Sequence, residues 1–286
     1  MRTRLSFLLL LLCSVSVQAQ SLLWEISGNG LKQPSYLFGT YHVLKDSYLG
    51  QNLRVKTAFT QAEGVVVETM IDSSAMLQMA MRSIMLNKSL PKLLSEADYK
   101  LVADEFQRTT GYDMMLFNQM KPIVTATILG LSYVDSENDT LRKFTGQPLD
   151  LYFASEGKRA GKTITALETM EQQMSFLYDH DPVEKQAADL VTMVRDKDKM
   201  RASGRQLTSL YLREDLAGMW KLSQEQEQKP GDMAYLVKDR NLNWMKQLPA
   251  KIALRPTFIA VGALHLPGPD GLLELLKKAG YVVKLL

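Results

Sequence analysis

The sequence predicts an α/β protein in which two strand–Gly-x-x-His–helix–strand half-repeats form a central sheet, with a mostly helical insertion between them. Three observations predict this class. An apolar run ends in Gly39-Thr40-Tyr41-His42 near the start of the chain, and a second one ends in Gly262-Ala263-Leu264-His265 near its end. The long segment between the two motifs has mostly helical patterning. Strand–helix–strand units of this kind place their strands in one sheet.

The first half-repeat covers about residues 22–70. The apolar run Ser35–Phe38 leads into the first motif, and a helix-compatible stretch follows from about Gln51 to Ala62. The run Val65–Val67 then follows Gly64 and ends at Glu68. Three β-branched residues in a row after a glycine are typical of a buried strand. The predicted order is therefore strand, motif, helix, strand.

The second half-repeat, about residues 254–286, has the same order. The run Thr257–Val261 precedes the second motif, and Leu272–Ala279 has the apolar spacing of a helix. Gly280 is a typical helix stop, and the chain ends in a strand over Tyr281–Leu286. We interpret the two halves as a degenerate internal duplication of about 30 residues, the usual length of a strand–helix–strand unit.

The insertion covers about residues 71–253. The pattern predicts Ser95 as a helix N-cap with Gly111 as the helix stop, and Pro182 as the start of a helix over Val183–Arg201. One further strand is predicted over Thr163–Leu167, running into Glu168. The polar stretches Ser136–Thr140 and Ser223–Gly231 are expected to be loops.

The first residues have the pattern of a secretory signal peptide. Arg2 and Arg4 precede the apolar run Leu5–Cys13, and small residues lead to Ala19, after which we expect cleavage. Residues 20–286 then form a single domain that is periplasmic or secreted, without a membrane span. Cys13 is the only cysteine of the chain, so the mature protein has no thiol chemistry. Loss of Arg2 and Arg4 lowers the formal charge from +3 to +1, which gives no indication of a nucleic-acid partner.

The two motif histidines are the first candidates for chemistry. His42 and His265 are two of only three histidines, and each follows a strand in the same Gly-x-x-His context. Ligands of α/β sheets bind at the carboxyl ends of strands, where both motifs lie. A glycine there lets the backbone turn tightly or approach a ligand closely. Two imidazoles with carboxylate oxygens suit Zn, Mn, Co or Fe.

Two glutamates and one arginine complete the predicted site. Glu68 and Glu168 each end an apolar run, where a carboxylate is costly unless it is paired or bound to a metal. Glu68 is expected beside His42 as a metal ligand or general base. The alternative is a glutamate that caps a helix or pairs with an arginine. Arg240 could be that partner, could stabilise an oxyanion, or could lie on a solvated helix face.

Two other features favour a structural explanation. His180, between Asp179 and Asp181, is predicted in a turn before a helix, where histidines are common. The methionines are predicted to fill the core, because their spacing does not follow one helical face. The stretch concerned contains Met76, Met79, Met81 and Met85.

These residues, taken in order, resemble the TraB/GumN family, which is also similar to the Tiki metalloproteases. The resemblance spans nearly the whole mature chain. It is carried by Leu37–His42, Val65–Glu68, Leu149–Tyr152, Ala166–Thr169, Arg240-Asn241 and Val261–Leu266.

The resemblance implies an α/β core around a helical insertion and a divalent-metal peptidase site. It assigns His42, Glu68 and His265 as metal or catalytic residues, with Glu168 and Arg240 as supporting members, and it implies Mn or Co more readily than Zn. The fold is also similar to haem-binding and esterase-type relatives. The sequence therefore predicts an exported metal-dependent hydrolase acting on peptides or proteins. A haem or metal carrier and a peptide-sequestering protein without catalysis are the alternatives.

Overall fold

A computed structural model describes residues 21–136, 139–226 and 234–286 of the chain. The predicted signal peptide, its cleavage site and part of each predicted polar loop lie outside these ranges. No helix within the described ranges is both long and apolar enough to cross a bilayer.

The described residues form six strands in one sheet, a mixed α/β fold as predicted. The strands are β1 (Leu23–Ser27), β2 (Ser35–Thr40), β3 (Gly64–Val67), β4 (Thr163–Ala166), β5 (Thr257–Gly262) and β6 (Val282–Leu285). Their spatial order is β4-β3-β5-β2-β1-β6. Strand β1, which the sequence patterning does not predict, is antiparallel to β2 and β6.

Helices of the half-repeats and of the insertion make up most of the remaining described chain. They are α1 (Leu53–Gln61), α2 (Ser73–Arg82), α3 (Leu90–Leu93), α4 (Glu96–Thr110), α5 (Pro122–Ser136), α6 (Asp139–Arg142), α7 (Leu149–Arg159), α8 (Met170–Tyr178), α9 (Val183–Arg195), α10 (Lys197–Leu212), α11 (Leu216–Gln226), α12 (Lys238–Met245), α13 (Leu248–Leu254) and α14 (Leu272–Lys278). Short 3₁₀ turns occupy Asp46–Gly50, Met114–Phe117, Ala234–Leu236 and Ala263–His265.

The helix ends confirm part of the predicted insertion. The Ser95 side chain accepts a hydrogen bond from the Asp98 amide, and Gly111 ends α4 with φ +79°. The predicted helix over Val183–Arg201 is wrong in one respect, because α9 ends at Arg195 and α10 begins at Lys197. Both predicted polar loops are also wrong in part, since α5 continues to Ser136, α6 begins at Asp139 and α11 continues to Gln226.

The two half-repeats interleave in the sheet. Strand β5 of the second half lies between β2 and β3 of the first, and both pairings are parallel. Strand β4 continues the parallel set beside β3. The carboxyl ends of β2, β3, β4 and β5 therefore meet at one edge of the sheet, which is the edge that carries the predicted site residues.

The largest apolar cluster joins the sheet to helices of both half-repeats and of the insertion. Strands β2 and β3 are buried along their whole length. The rings of Phe38 in β2, Phe153 in α7 and Phe258 in β5 pack against one another at centroid distances of 4.8–6.1 Å. A second cluster, which includes Phe106 and Tyr133, lies among α4, α5 and α9. The site edge is thus built on a rigid, apolar platform.

Candidate active site

The sheet edge brings four strand ends together. His42 follows β2, Glu68 follows β3, and His265 lies in the 3₁₀ turn after β5. Glu168 lies two residues after the end of β4. Val67 lies opposite both Ala166 and Ala260 in the parallel pairings, which aligns these strand ends.

The motif glycines, Gly39 and Gly262, permit different close contacts, and neither adopts a left-handed conformation. A Cβ on Gly39 would lie 2.9 Å from the Ala263 Cα, so this glycine lets the two motifs touch. A Cβ on Gly262 would lie 3.3 Å from Glu68 Oε1, 3.6 Å from His265 Cδ2 and 4.0 Å from His42 Nε2. Gly262 therefore keeps open a small space that both histidines and Glu68 border.

His42 is oriented by an aspartate from the insertion. Its Nδ1 lies 2.6 Å from Oδ2 of Asp150, in the first turn of α7, and Thr40 Oγ1 donates to the other oxygen of that carboxylate. Asp150 raises the pKa of His42 to about 9 through its charge and its hydrogen bond. The imidazole is 66% exposed, so its Nε2 is accessible at the mouth of the site.

His265 is oriented by an amide. Its Nδ1 lies 2.7 Å from Asn241 Oδ1, while Asn241 Nδ2 donates to the backbone carbonyls of His265 and Asp270. Those two carbonyls fix the amide oxygen as the acceptor, so Nδ1 of His265 carries the proton and Nε2 carries the lone pair. Burial, with Arg240 and His42 nearby, lowers the pKa of His265 to about 4 despite Glu68. The Trp244 ring packs on this imidazole at 4.3 Å.

Arg240 links both glutamates to the second motif. From α12, Nη2 donates to Glu68 at 2.5 Å and to Glu168 at 2.7 Å, and Nε donates to Glu168 at 3.2 Å. Its Nη1 lies 3.2 Å from His265 Nε2. Trp244 Nε1 also donates to Glu168. The Arg240 side chain is 7% exposed, so it does not lie on a solvated helix face.

Glu68 is the most strongly perturbed carboxylate of the site. Burial by itself raises its pKa, but His265, Arg240 and His42, with a hydrogen bond from the Gly262 amide, lower the pKa to about 2. It is ionised at any physiological pH. The hydroxyl of Thr69, next in the chain, is buried without a hydrogen-bond partner among the described residues.

Comparison with known proteins identifies the family. The sequence model of the TraB/PrgY/gumN family matches residues 22–285. The chain belongs to this family. Comparison with curated proteins and with solved structures found no match. The TraB/PrgY/gumN match covers both motifs and the whole sheet, in agreement with the resemblance that the motif residues predict.

The donors of this TraB/PrgY/gumN protein fit a first-row divalent ion in their chemistry. Two histidines with side-chain partners on Nδ1, and one carboxylate, are what such ions select. As placed, however, no three His, Cys, Asp or Glu side chains in the described ranges are grouped to hold an ion. The Arg240 guanidinium contacts both Glu68 and His265, whose Oε1 and Nε2 atoms lie 3.8 Å apart. An ion therefore needs Arg240 to withdraw from the His265 lone pair, and it must also displace the Nε2 proton that the raised pKa leaves on His42 near neutral pH.

Sequence reasoning missed two residues of the TraB/PrgY/gumN site. Asp150 and Asn241 both lie in segments that carry the family resemblance, but the sequence pattern predicts no catalytic or metal-binding function for either residue. The only local signal for Asp150 is an acidic residue in the first turn of a helix. Nothing local to Asn241 indicates that it holds an imidazole 24 residues further along the chain.

His180 and the methionines lie outside the assembled site. The His180 ring stacks on Tyr235 at 3.6 Å, just before α12, so it braces that segment. The expectation that the methionines fill the core is right for Met85 but wrong for Met76 and Met81, which are 57% and 69% exposed. One face of α2 packs on α8, and the other faces solvent.

Proposed function

We propose that this chain is a metal-dependent hydrolase that cleaves peptide bonds. His42, Glu68 and His265 hold the ion, with Mn or Co favoured and Zn or Fe compatible with the same donors. The observation that carries the proposal is the orientation of both motif histidines. Each has Nδ1 tied to a side-chain oxygen, of Asp150 or Asn241, which is the usual support of a metal-binding imidazole.

An ion of this type, when bound, polarises a carbonyl and makes a bound water acidic enough to react near neutral pH. The protein supplies the remaining functions. Glu68 is ionised and accepts a proton at Oε1 or Oε2, as a general base requires. The Arg240 guanidinium lies beside Glu68 and stabilises the negative charge that develops on the substrate oxygen.

Glu168 has a positioning function in this scheme. It binds Arg240 through two hydrogen bonds and accepts a third from Trp244. When Arg240 withdraws from His265, this carboxylate keeps the guanidinium near the site. Arg240 and an ion compete for the His265 lone pair, so occupancy of the site changes the position of a catalytic charge.

We further propose that the protein works outside the cytoplasm. The support is the order of basic, apolar and small-residue segments before Ala19. N-terminal sequencing of protein recovered from the periplasm or medium is expected to begin at Gln20. Recovery of an intact N-terminus in the cytosol would contradict this location.

The function is tested on protein purified without a histidine tag. Elemental analysis is expected to show a stoichiometric divalent ion. Mass spectrometry of a peptide library incubated with added Mn, Co or Zn is expected to show cleavage. Glu68→Gln should lose about 10²–10⁴ in rate, the typical contribution of a general base, with modest loss of metal. His42→Ala and His265→Ala should lose both metal and activity.

The matched control is Glu63→Gln, at the opposite end of β3 and exposed, which should leave metal content and rate unchanged. Wild-type protein that cleaves no peptide with any of these ions would contradict the enzyme. Tight binding of haem, or of intact peptide through the same histidines, would then show a binding protein.

A further inference from the structure

A cavity of about 770 Å³ lies on the insertion side of the sheet edge. Helices α9, α10 and α11 form one side of it, and the 3₁₀ turn before α12 and the loop after the second motif form the other. Its apolar lining includes Met193, Met200, Trp220, Leu236, Leu264 and Pro267. Cavities that enclose drug-sized ligands have about 300–1,000 Å³, so this one accommodates a segment of a few residues.

The cavity wall is fixed by close packing. A Cβ on Gly268 would lie 2.6 Å from the Trp220 ring, and Gly268 has φ +87°. Only glycine combines that conformation with contact against an indole. The loop after the second motif therefore packs closely against Trp220, and this contact fixes the position of that part of the cavity wall.

The wall of the cavity is also connected to the site. Leu264 precedes His265 in the chain, and the Leu236 carbonyl accepts a hydrogen bond from Arg240 Nη1. Asn241 joins the two regions, because its amide binds both the His265 ring and the carbonyl of Asp270, which lines the cavity. The cavity therefore shares part of its wall with the segments that carry His265, Arg240 and Asn241.

We propose that this cavity binds bulky apolar residues of the peptide substrate, adjacent to the bond that is cleaved. The proposal rests on the peptidase function above and names its substrate class. Polar and charged residues also line the cavity: Ser203, Ser223, Gln224, Asp189, Asp196, Lys199, Lys238 and Asp270. A peptide needs such partners, because each of its residues carries an N–H and a C=O that must be paired on burial. A hydrocarbon chain would leave these polar groups unused.

The test measures binding separately from cleavage. Wild-type chain is treated with a chelator, and mass spectrometry verifies that the peptide stays intact. Calorimetry then compares a short peptide rich in Leu and Phe with a matched peptide in which Ser and Gln replace those residues. The apolar peptide is expected to bind at least tenfold more tightly.

Two variants locate that preference. Ser203→Trp fills the cavity, and Met200→Gln makes its lining polar while keeping a similar shape. Each should reduce affinity for the apolar peptide about tenfold or more. Ser209→Trp places the same indole on an exposed position of the same helix, outside the cavity lining, and should bind as the wild type does.

The outcomes separate this proposal from the peptidase function. Apolar preference that both cavity variants remove supports the cavity even if no cleavage occurs with any ion. Cleavage that shows no apolar preference and is unaffected by Ser203→Trp and Met200→Gln overturns the cavity proposal and leaves the peptidase in place. Equal loss in Ser209→Trp also overturns it, since the effect would then not come from the cavity.

Discussion

Arg240→Met tests whether the guanidinium is the charge that keeps two buried carboxylates ionised. Methionine retains the unbranched side chain but removes every hydrogen bond that Arg240 donates to Glu68 and Glu168. In the wild type the side chains of Arg240, Glu68 and Glu168 are 7%, 11% and 5% exposed, so water does not replace the lost partner. Both carboxylates then remain buried without their cation.

The expected cost follows from that burial. Removing one partner of a buried ion pair costs about 3–5 kcal/mol, because the remaining charge is uncompensated. The loss depends on pH. Wild-type Glu68, with its pKa lowered to about 2, contributes stability above its unfolded pKa, whereas without Arg240 its pKa rises and the neutral form is favoured. The difference between the two proteins should therefore be largest at pH 7 and shrink toward pH 4.

Urea unfolding at pH 7 and pH 4, in chelator, measures this difference. Arg240→Lys keeps the charge without the planar fork and should lose less stability. Arg159→Met removes a solvent-exposed partner of Glu156 and should cost below about 1 kcal/mol. A loss below about 1 kcal/mol in Arg240→Met, or one that grows as the pH falls, would refute the reasoning. Added Mn or Co should restore part of the lost stability, because an ion replaces the missing positive charge.

Two further predictions concern the insertion and the second motif. Burial raises the pKa of Glu105, but hydrogen bonds led by Arg108 and Lys197 lower it to about 2, so this carboxylate contributes stability above pH 4.5 that is lost as the pH falls. Glu105→Gln should cost about 3 kcal/mol at pH 7 and about 1 kcal/mol at pH 3 by urea unfolding; an equal loss at both values would contradict the assignment. Asn241→Leu removes the acceptor that fixes His265, and should weaken Mn or Zn binding about 10–100-fold in a chelator competition; affinity within twofold of the wild type would show that Asn241 has no such function.

How much the sequence determines is clearest at the two motifs. Apolar and β-branched runs and glycine stops are local signals, and they were enough to place β2, β3, β4, β5 and β6 and the helices α1 and α14. Because parallel strands end at one edge, the same signals also brought the candidate residues to one place. Strand β1 carries no such signal, since its pairing with β2 and β6 depends on chain segments far from it.

Only the tertiary structure shows which side chains of the site are hydrogen-bonded to one another. Asp150 reaches His42 across 108 residues, and Arg240 reaches Glu68 across 172. A hydrogen bond between such distant residues leaves no periodicity in the sequence, so Arg240 was equally compatible with a solvated helix face. Burial distinguishes the two positions of Arg240, because the charged side chains of Arg240, Glu68 and Glu168, enclosed at the end of an apolar sheet, are stable only when they face one another.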